Sequence, residues 1–523
     1  MGTYVNPGSL QLQKALNGKI FVDKSKIISV LNDNFNTKSS FMCVSRPRRF
    51  GKTTVGDIIT AFYSKGADSR SIFEKLKIAE DENWDERLNK FNVVKIDMND
   101  FWDPLKPEST IPSVTKKVLD EMRNEFSGIL TDEDSIPAAV LSVFESTQTP
   151  FVFIIDEYDV LIREKVPADV LTDYLTLMTK LFKGGGASAA IALAYITGII
   201  PIVRDRVGSK LNNFNEYTML TPLELAPYIG FTNEEVKELC QRFEMDYDEC
   251  LRWYDGYHIA PKVSVCNSNS VCRALTTKRF DDYWTQTGAY TAISDYIEAD
   301  YEGIREDIAK MVGGGSVELD PGTFLNTLDS IASKDDIFTY LIHLGYLAYC
   351  QDDETCHIPN GEVRKEWERA LRRTVNYKPV FDMIKGSKEL LEATLQCDEQ
   401  AVADALDKAH SYVTSAKYYN NEGSLQSAVG LAYFSATSKY DIEKEVAGGY
   451  GFADIAFKPY VKGAPGMIIE LKMDQDPEVG LAQIKEKKYA DALGHYRGPV
   501  YLVAISYGKE SKKHTCKIEV VER

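Results

Sequence analysis

The stretch SRPRRFGKTT, Ser45 to Thr54, leaves few folds open to this chain. Its residues Gly51, Lys52 and Thr53 match the end of the phosphate-binding pattern G-x-x-x-x-G-K-[ST]. That pattern needs a strand before the loop and a helix directly after it. The apolar run SSFMCVS predicts that strand, and KTTVGDIITAFYS predicts the helix. Because an arginine stands where the pattern has its first glycine, three readings stay open: a working nucleotide loop, a decayed one and a basic loop of chance similarity.

A second run, FVFIIDEYDV, lies about a hundred residues further on and favours a nucleotide site. Five apolar residues lead directly into Asp156 and Glu157, and a buried strand that ends in two carboxylates is costly unless they serve a cation or solvent. We interpret Lys52 as the ligand of the β- and γ-phosphates, Thr53 and Asp156 as holders of Mg²⁺, and Glu157 as the acid that polarises the attacking water. An ordinary strand end with solvated acids is the alternative.

The next apolar run, ALAYITG, ends in Thr197. A polar side chain at that place could sense the γ-phosphate, and Arg204 could contact phosphate in the same chain or in a neighbouring one. A structural role is equally compatible with the sequence at both positions.

The spacing of apolar runs divides the 523 residues into three parts. Residues 1–225 alternate short β-rich runs with amphipathic runs, which predicts a parallel sheet flanked by helices. Residues 226–400 are mostly helical in pattern, and residues 401–523 combine strands with helices. The nine scattered cysteines form no C-x-x-C, and no signal peptide or membrane span is evident, which indicates reduced thiols in the cytoplasm.

The charge is distributed unevenly along the chain. The net charge is −17, but residues 405–523 carry 16 Lys and Arg against 15 Asp and Glu. Because nucleic-acid affinity depends on neutralising phosphates, a nucleic-acid partner is predicted for the C-terminal part alone.

A second constellation lies in that C-terminal part. Asp454 follows a glycine-rich turn in GGYGFADIAF, and Glu470 and Lys472 lie two residues apart in the apolar run GMIIELKM. Strand periodicity places both on one face, opposite Met467, Ile469 and Leu471. A salt bridge between the two charges is one explanation. The other is a divalent metal held by Asp454 and Glu470, with Lys472 orienting the attacking water and opposing the phosphate charge.

Both constellations together resemble a known family. The runs FVDKSKII, RPRRFGKTT, IIDEYDV and YITGIIPIVRD, and later WYDGYH, IPNGEVRKEW and IIELKMDQDPEVGLAQIKEKKYADAL, are similar to AAA-ATPase-like proteins fused to a PD-(D/E)XK nuclease. The resemblance implies an α/β chain with an N-terminal P-loop NTPase domain on a parallel sheet, a helical, winged-helix-like middle region and a C-terminal restriction-endonuclease-like α/β domain. It also implies that the arginine at the first glycine position is ordinary. The nucleotide-site residues that it implies are Asp23, Arg46, Arg49, Gly51, Lys52, Thr53, Thr54 and Asp156. The catalytic residues are Glu157, Asp454, Glu470 and Lys472, with Glu422 and Gln483 as additional candidates.

The predicted function is an ATP-regulated, Mg²⁺-dependent endonuclease whose substrate is DNA or, alternatively, RNA, with defence against foreign nucleic acid as its setting. No membrane partner is expected, and a homo-oligomer is open. Two alternatives stay open: a signalling ATPase whose C-terminal fold merely binds nucleic acid or protein, and a scaffold with both sites inert.

Overall fold

A computed structural model of the chain describes residues 2–131, 135–164, 166–202, 211–260, 263–284, 304–312, 314–326, 331–373, 378–413, 422–433, 435–436, 439–460 and 463–522. The chain forms two compact units. The first contains Met1–Thr287 and Glu318–Glu362, and the second contains Gly288–Val317 and Val363–Arg523. The middle part of the sequence, residues 226–400, therefore contributes to both units.

The first unit is built on a parallel sheet, as the sequence predicts, and this sheet has five strands. Its strands are β1 (Phe41–Ser45), β2 (Asn92–Asp97), β3 (Phe151–Asp156), β4 (Ile191–Gly198) and β5 (Asn215–Tyr217). They lie in the order β2-β3-β4-β1-β5. Because parallel strands end at the same edge, this order gathers the loop after β1, the acids after β3 and the end of β4 at one edge.

Helices cover both faces of this sheet, which explains why its strands are apolar on both sides. The first helices of the chain are α1 (Leu10–Leu16), α2 (Ile27–Asn34), α3 (Lys52–Tyr63), α4 (Arg70–Phe73), α5 (Thr110–Glu125), α6 (Ile136–Thr147), α7 (Val160–Arg163) and α8 (Ala168–Phe182). Apolar side chains of α5, α6 and α8 form one buried cluster with alternate residues of β2 and β3. Helix α3 packs on the opposite face, where Gly56 lies against Ile154.

The remainder of the first unit contains more strand than its sequence pattern predicts. Two three-stranded sheets have the orders β6-β8-β7 and β10-β11-β9. Their strands are β6 (Phe231–Thr232), β7 (Tyr257–Ala260), β8 (Val263–Cys266), β9 (Val317–Glu318), β10 (Ala348–Cys350) and β11 (Thr355–His357). The neighbouring helices are α9 (Asn233–Arg242), α10 (Tyr247–Tyr254), α11 (Ser268–Thr277) and α13 (Lys334–Leu344). The middle region is helical overall, and its winged-helix likeness stays a prediction.

The second unit is an α/β domain on a mixed sheet of order β12-β13-β14-β15-β16. Its strands are β12 (Tyr440–Gly448), β13 (Gly451–Pro459), β14 (Gly466–Met473), β15 (Pro499–Gly508) and β16 (Lys513–Glu522), of which only the β14–β15 pair is parallel. The remaining helices are α12 (Ile304–Val312), α14 (Gly361–Arg373), α15 (Lys378–Leu395), α16 (Glu399–Val413), α17 (Glu422–Ala432) and α18 (Pro477–Glu486). Helices α15 to α17 pack on one face of the sheet, and α18 covers the other. Among the described residues, no helix is both long enough and apolar enough to cross a membrane.

Candidate functional site

The loop after β1 holds its lysine close to its own backbone. Gly51 has φ of +92°, a left-handed conformation that favours glycine, and α3 begins at the next residue. Lys52 is buried, and its Nζ donates to the carbonyls of Arg46 at 3.0 Å and Pro47 at 3.3 Å. The same Nζ lies 3.5 Å from Glu157 Oε1. The loop, the helix N-terminus and the lysine therefore converge on one point, as a phosphate site requires.

The Asp156 carboxylate accepts hydrogen bonds from two neighbouring elements at this edge of the sheet. It is buried at the end of β3, and its Oδ2 accepts a hydrogen bond from Thr53 Oγ1 at 2.6 Å. Its Oδ1 accepts from the Thr197 hydroxyl at the end of β4. The fold thus brings together Thr53 and Asp156, the two residues predicted to hold a cation, although 103 positions separate them in sequence. Thr197, considered above as a sensor of the γ-phosphate, thus donates its hydroxyl hydrogen bond to the Asp156 carboxylate in this structure.

Glu157 is held by a residue that the sequence reasoning did not single out. Its Oε2 accepts from Arg163 Nη2 at 2.8 Å, and its backbone has φ of +51°, a conformation that non-glycine residues rarely adopt. Arg163 Nε also donates to Asp159 Oδ2 at 3.0 Å, and that oxygen accepts the N–H groups of Ile199 and Ile200. The sequence signal for Arg163 was its position four residues after Asp159, the last acid of the run DEYD, because a helical turn brings positions four apart together.

A third carboxylate, Asp97, was also missed. It ends β2 and is the register partner of Asp156. Burial raises the pKa of Asp97 to about 6, and the nearby charges of Asp156 and Glu157 act in the same direction. Its signal was of the same kind as that of Asp156, because the apolar run FNVVKIDM also ends near an acid. The edge of the sheet is therefore strongly acidic beside the basic loop.

Arg46 is placed differently from the predicted nucleotide contact. Its side chain is fully buried, and Nη1 donates to the carbonyls of Ser45 at 2.9 Å, Tyr217 at 3.2 Å and Thr218 at 2.8 Å. Burial lowers the pKa of Arg46 to about 10. A side chain without exposed surface cannot touch a ligand, so this guanidinium instead ties the start of the loop to the end of β5.

Asp23 and Arg49, two other predicted nucleotide residues, contact the backbone of the protein itself. Both carboxylate oxygens of Asp23 accept backbone N–H groups. The bond from Ser25, at 2.8 Å, closes a local turn, and the bond from Lys77, at 2.6 Å, ties that turn to a segment 54 positions away. Arg49 donates from Nη1 to the Tyr283 carbonyl at 3.0 Å. Thr54 is half-buried in the first turn of α3. Arg204 lies outside the described residues.

The outer side of the loop is fixed by a distant segment of the same unit. Trp284 Nε1 donates to the Arg48 carbonyl at 3.2 Å, and Ser268 Oγ donates to the Phe50 carbonyl at 3.1 Å. Gly345, with φ of +87°, lies directly against the Pro47 ring. The loop carbonyls therefore have fixed partners, which holds the loop in one conformation.

Glu362 holds the segment that contacts the outer side of the loop. Its Oε1 accepts from Ser270 Oγ at 2.8 Å and from the N–H groups of Tyr283 and Trp284, both at 2.7 Å. The side chain is buried, and burial raises the pKa of Glu362 to about 7. No sequence signal pointed to this residue, because its partners lie about 80 or more positions away.

Glu362→Gln is expected to stabilise the first unit at pH 8 and to change its stability far less at pH 5. The folded pKa lies above the unfolded value of 4.5, so the carboxyl stabilises most below pH 4.5, and this contribution declines with rising pH until about pH 7. The lost contribution is about 3 kcal/mol at most. Glutamine stays neutral and keeps an acceptor oxygen for the three donors.

Thermal unfolding of both proteins at pH 5 and pH 8 measures this effect. The melting temperature of the variant should exceed that of the native chain by several degrees at pH 8 and by much less at pH 5. Glu238→Gln, at an exposed position on α9, is the matched control and should show no such difference. An equal shift at both pH values would contradict a titrating Glu362.

The second constellation forms on β14. Lys472 Nζ contacts Glu470 Oε1 at 2.8 Å, and Glu470 is buried. Met467, Ile469 and Leu471 point to the opposite face, into the core with α15 to α17, which confirms the strand periodicity read from the sequence. A salt bridge between the two charges is therefore present, as the simpler explanation of the pattern required.

Asp454 reaches the same stretch of β14. Its Oδ2 accepts the backbone N–H of Leu471 at 2.7 Å, between Glu470 and Lys472 in sequence. The side-chain amide of Gln426, on α17, donates to the backbone carbonyl of Asp454 at 2.8 Å and so ties β13 to that helix. The three predicted residues are therefore brought together, although Asp454 comes from a different strand.

Helix α18 covers this stretch closely. A Cβ atom at Gly480 would lie 3.5 Å from the Cγ atoms of both Glu470 and Lys472. Gln483, one turn later, donates to the Tyr489 hydroxyl at 3.0 Å. Its amide is thus engaged with a buried tyrosine. Glu422 begins α17, and its side chain lies outside the described residues.

The donors at both sites suit a hard cation that keeps part of its water shell. Within the described residues, no group of three or more His, Cys, Asp and Glu side chains is arranged to hold a metal ion. A cation at either site would therefore rest on two protein oxygen ligands and on water or phosphate oxygens, which is how proteins usually bind Mg²⁺. Asp454 with Glu470, and Thr53 with Asp156, are the two pairs available.

Comparisons with known proteins find two family models that match separate parts of the chain. Residues 13–208 match the family model described as predicted AAA-ATPase, and residues 420–516 match that of the PD-(D/E)XK nuclease superfamily. An uncharacterized protein in the vnfD 5' region of Azotobacter chroococcum mcd 1 is 21% identical over 501 residues, which cover 90% of each chain. The structure of the ORC2 protein of Aeropyrum pernix aligns with a TM-score of 0.29 and 12% identity, over 66% of this chain and 92% of that one.

Proposed function

We propose that this chain is a nuclease controlled by ATP, because it belongs to a family that joins a predicted AAA-ATPase (residues 13–208) to a PD-(D/E)XK nuclease (residues 420–516). Its first unit would bind and hydrolyse ATP, and its second would cut DNA, or RNA, with the aid of Mg²⁺. Defence against foreign nucleic acid is the setting that we propose for this activity.

The contact between Thr53 and Asp156 supports the ATPase half. Lys52 Nζ and the N-terminus of α3 provide positive charge for the β- and γ-phosphates. Glu157 Oε1 lies 3.5 Å from Lys52 Nζ, so this carboxylate would be placed to accept a proton from a water that attacks the γ-phosphate. A bound Mg²⁺ would neutralise phosphate charge between Thr53 and Asp156.

The observation that carries the nuclease half is the position of Asp454, on β13, beside the stretch of β14 that bears Glu470 and Lys472. A divalent cation held by the two carboxylates would lower the pKa of a bound water and offset charge on the phosphate. Lys472 contributes a positive charge of its own toward the phosphate, and Glu470 fixes its position. The nearly neutral charge of residues 405–523 tolerates a polyanionic substrate better than the acidic remainder.

The test is a cleavage assay with the full chain. Plasmid and single-stranded DNA are incubated with Mg²⁺, Mn²⁺ or EDTA, each with and without ATP. We expect cleavage that requires the metal, is abolished by EDTA and changes in rate with ATP. Absence of cleavage under every condition would overturn the nuclease half and favour a binding module, whereas cleavage that is indifferent to ATP would overturn the control alone.

A further inference from the structure

The hairpin between β12 and β13 carries an exposed tyrosine on a rigid support. Gly448 pairs with Gly451 at its tip, and Tyr450 lies between them with 73% of its surface exposed. An aromatic ring so exposed contributes little to the core, while the turn around it is built almost entirely of glycine. The ring is therefore presented to solvent by the fold.

The glycines are required because the tip lies directly on the segment after α18. A Cβ atom at Gly449 would lie 2.0 Å from the Lys487 carbonyl, and one at Gly448 would lie 2.8 Å from the Tyr489 carbonyl. The Tyr450 N–H also donates to the Lys487 carbonyl at 2.8 Å. The backbone beneath the tyrosine ring is thus fixed from two sides.

The same segment places positive charge next to the ring. Lys488 Nζ lies 5.6 Å from the centre of the Tyr450 ring, and Lys487 precedes it. Lys488 is exposed and has φ of +56°, a conformation that lysine rarely adopts. An aromatic face with adjoining lysines is the combination that binds single-stranded nucleic acid, because bases stack on the ring and phosphates meet the charges.

This hairpin tip is joined to the candidate nuclease site. Tyr489 accepts a hydrogen bond from Gln483 on α18, the helix whose Gly480 covers Glu470 and Lys472. Along β13, Asp454 lies four residues after Tyr450, a distance of about 13 Å in an extended strand. That distance corresponds to roughly four steps of 3.4 Å along a nucleic-acid strand.

We propose that Tyr450 is a stacking platform for an unpaired base of the nucleic-acid substrate, with Lys487 and Lys488 contacting the adjoining phosphates. An unpaired base is specified because a ring can stack only on a base face that has left the duplex. This inference rests on the proposed nuclease function and names the substrate as single-stranded or locally opened nucleic acid.

The test measures binding of a fluorescein-labelled single-stranded 20-mer to the full chain in EDTA, by fluorescence anisotropy. Tyr450→Ala should weaken binding by about 5–100-fold, and Tyr450→Phe should bind within about twofold of the native chain. Phe452→Ala is the matched control, because Phe452 is 65% exposed on the same hairpin and no cation among the described residues is placed over its ring. It should bind like the native chain.

Lys488→Ala should lower both the affinity and its salt dependence. Lys512→Ala is its control, since Lys512 is likewise exposed, has φ of +54° and lies at the tip of another hairpin in the same sheet. Native affinity of Tyr450→Ala, loss with Tyr450→Phe, or an equal loss with Phe452→Ala would each overturn the platform.

Parallel cleavage assays with Mn²⁺ separate this inference from the proposed function. If the native chain cleaves and Tyr450→Ala binds and cleaves equally well, the nuclease stands and the platform falls. If the native chain neither binds nor cleaves nucleic acid, both fall together.

Discussion

Lys472→Gln is expected to lower the rate of DNA cleavage by about 10²–10³-fold, the usual loss when one preorganised group that stabilises a transition state is removed. Glutamine retains a donor for Glu470 Oε1, now 2.8 Å from Lys472 Nζ, so that the buried carboxylate keeps a partner. The change thereby removes the charge while sparing the fold. An alanine at this position would instead leave Glu470 buried without that partner, and its effect would mix stability with catalysis.

Single-turnover cleavage of a labelled oligonucleotide with Mn²⁺ measures this loss. Lys458→Gln is the control, because Lys458 also forms an ion pair with a glutamate of the same sheet, Glu443 at 2.6 Å, at a more exposed position. It should cleave like the native chain, and both variants should keep native rates of ATP hydrolysis. Cleavage by Lys472→Gln at near the native rate would exclude this lysine from catalysis.

The fold was predictable wherever apolar runs are long and end in acids or glycine. Strands β1, β3, β4 and β14 lie where their sequences indicate, because full burial imposes an apolar run on a central strand. Strand β16 was not predicted, since it lies at the sheet edge, is half-exposed and reads KHTCKIEVVE. The run EVGLAQIKEKKYADAL, residues 478–493, has the pattern of one continuous helix, but the helix ends at Glu486 because Lys488 adopts a left-handed conformation and a separate turn follows.

The site was predictable to the extent that its residues are local to those strands. Glu470 and Lys472 could be placed on one face because strand periodicity is independent of the rest of the fold. Glu362 and the buried position of Arg46 were not predictable, since each is determined by partners roughly 80 to 170 positions away. Local patterns thus revealed the chemical groups but not the tertiary contacts that orient them.

Glu157→Gln is expected to lower the rate of ATP hydrolysis by about 10²–10⁴-fold, the range for losing a general base. The glutamine oxygen can still accept from Arg163, whose Nη2 lies 2.8 Å from the native carboxylate, so the loop should stay in place. ATP affinity should change by no more than about threefold, because Lys52 and Thr53 remain. Lys52→Ala should instead weaken ATP binding itself, since it removes the buried cation of the loop.

Phosphate release and binding of a fluorescent ATP analogue separate these two outcomes. Glu164→Gln is the matched control, because Glu164 contacts the same arginine at 3.9 Å from an exposed position and should leave hydrolysis unchanged. Native hydrolysis by Glu157→Gln would exclude it as the base, and lost ATP binding would make it structural. Glu157→Gln should bind ATP without hydrolysing it, so its DNA cleavage shows which of the two steps controls the nuclease. Cleavage at the rate of the native chain with ATP would mean that ATP binding is sufficient. Cleavage at the rate of Lys52→Ala would mean that ATP hydrolysis is required.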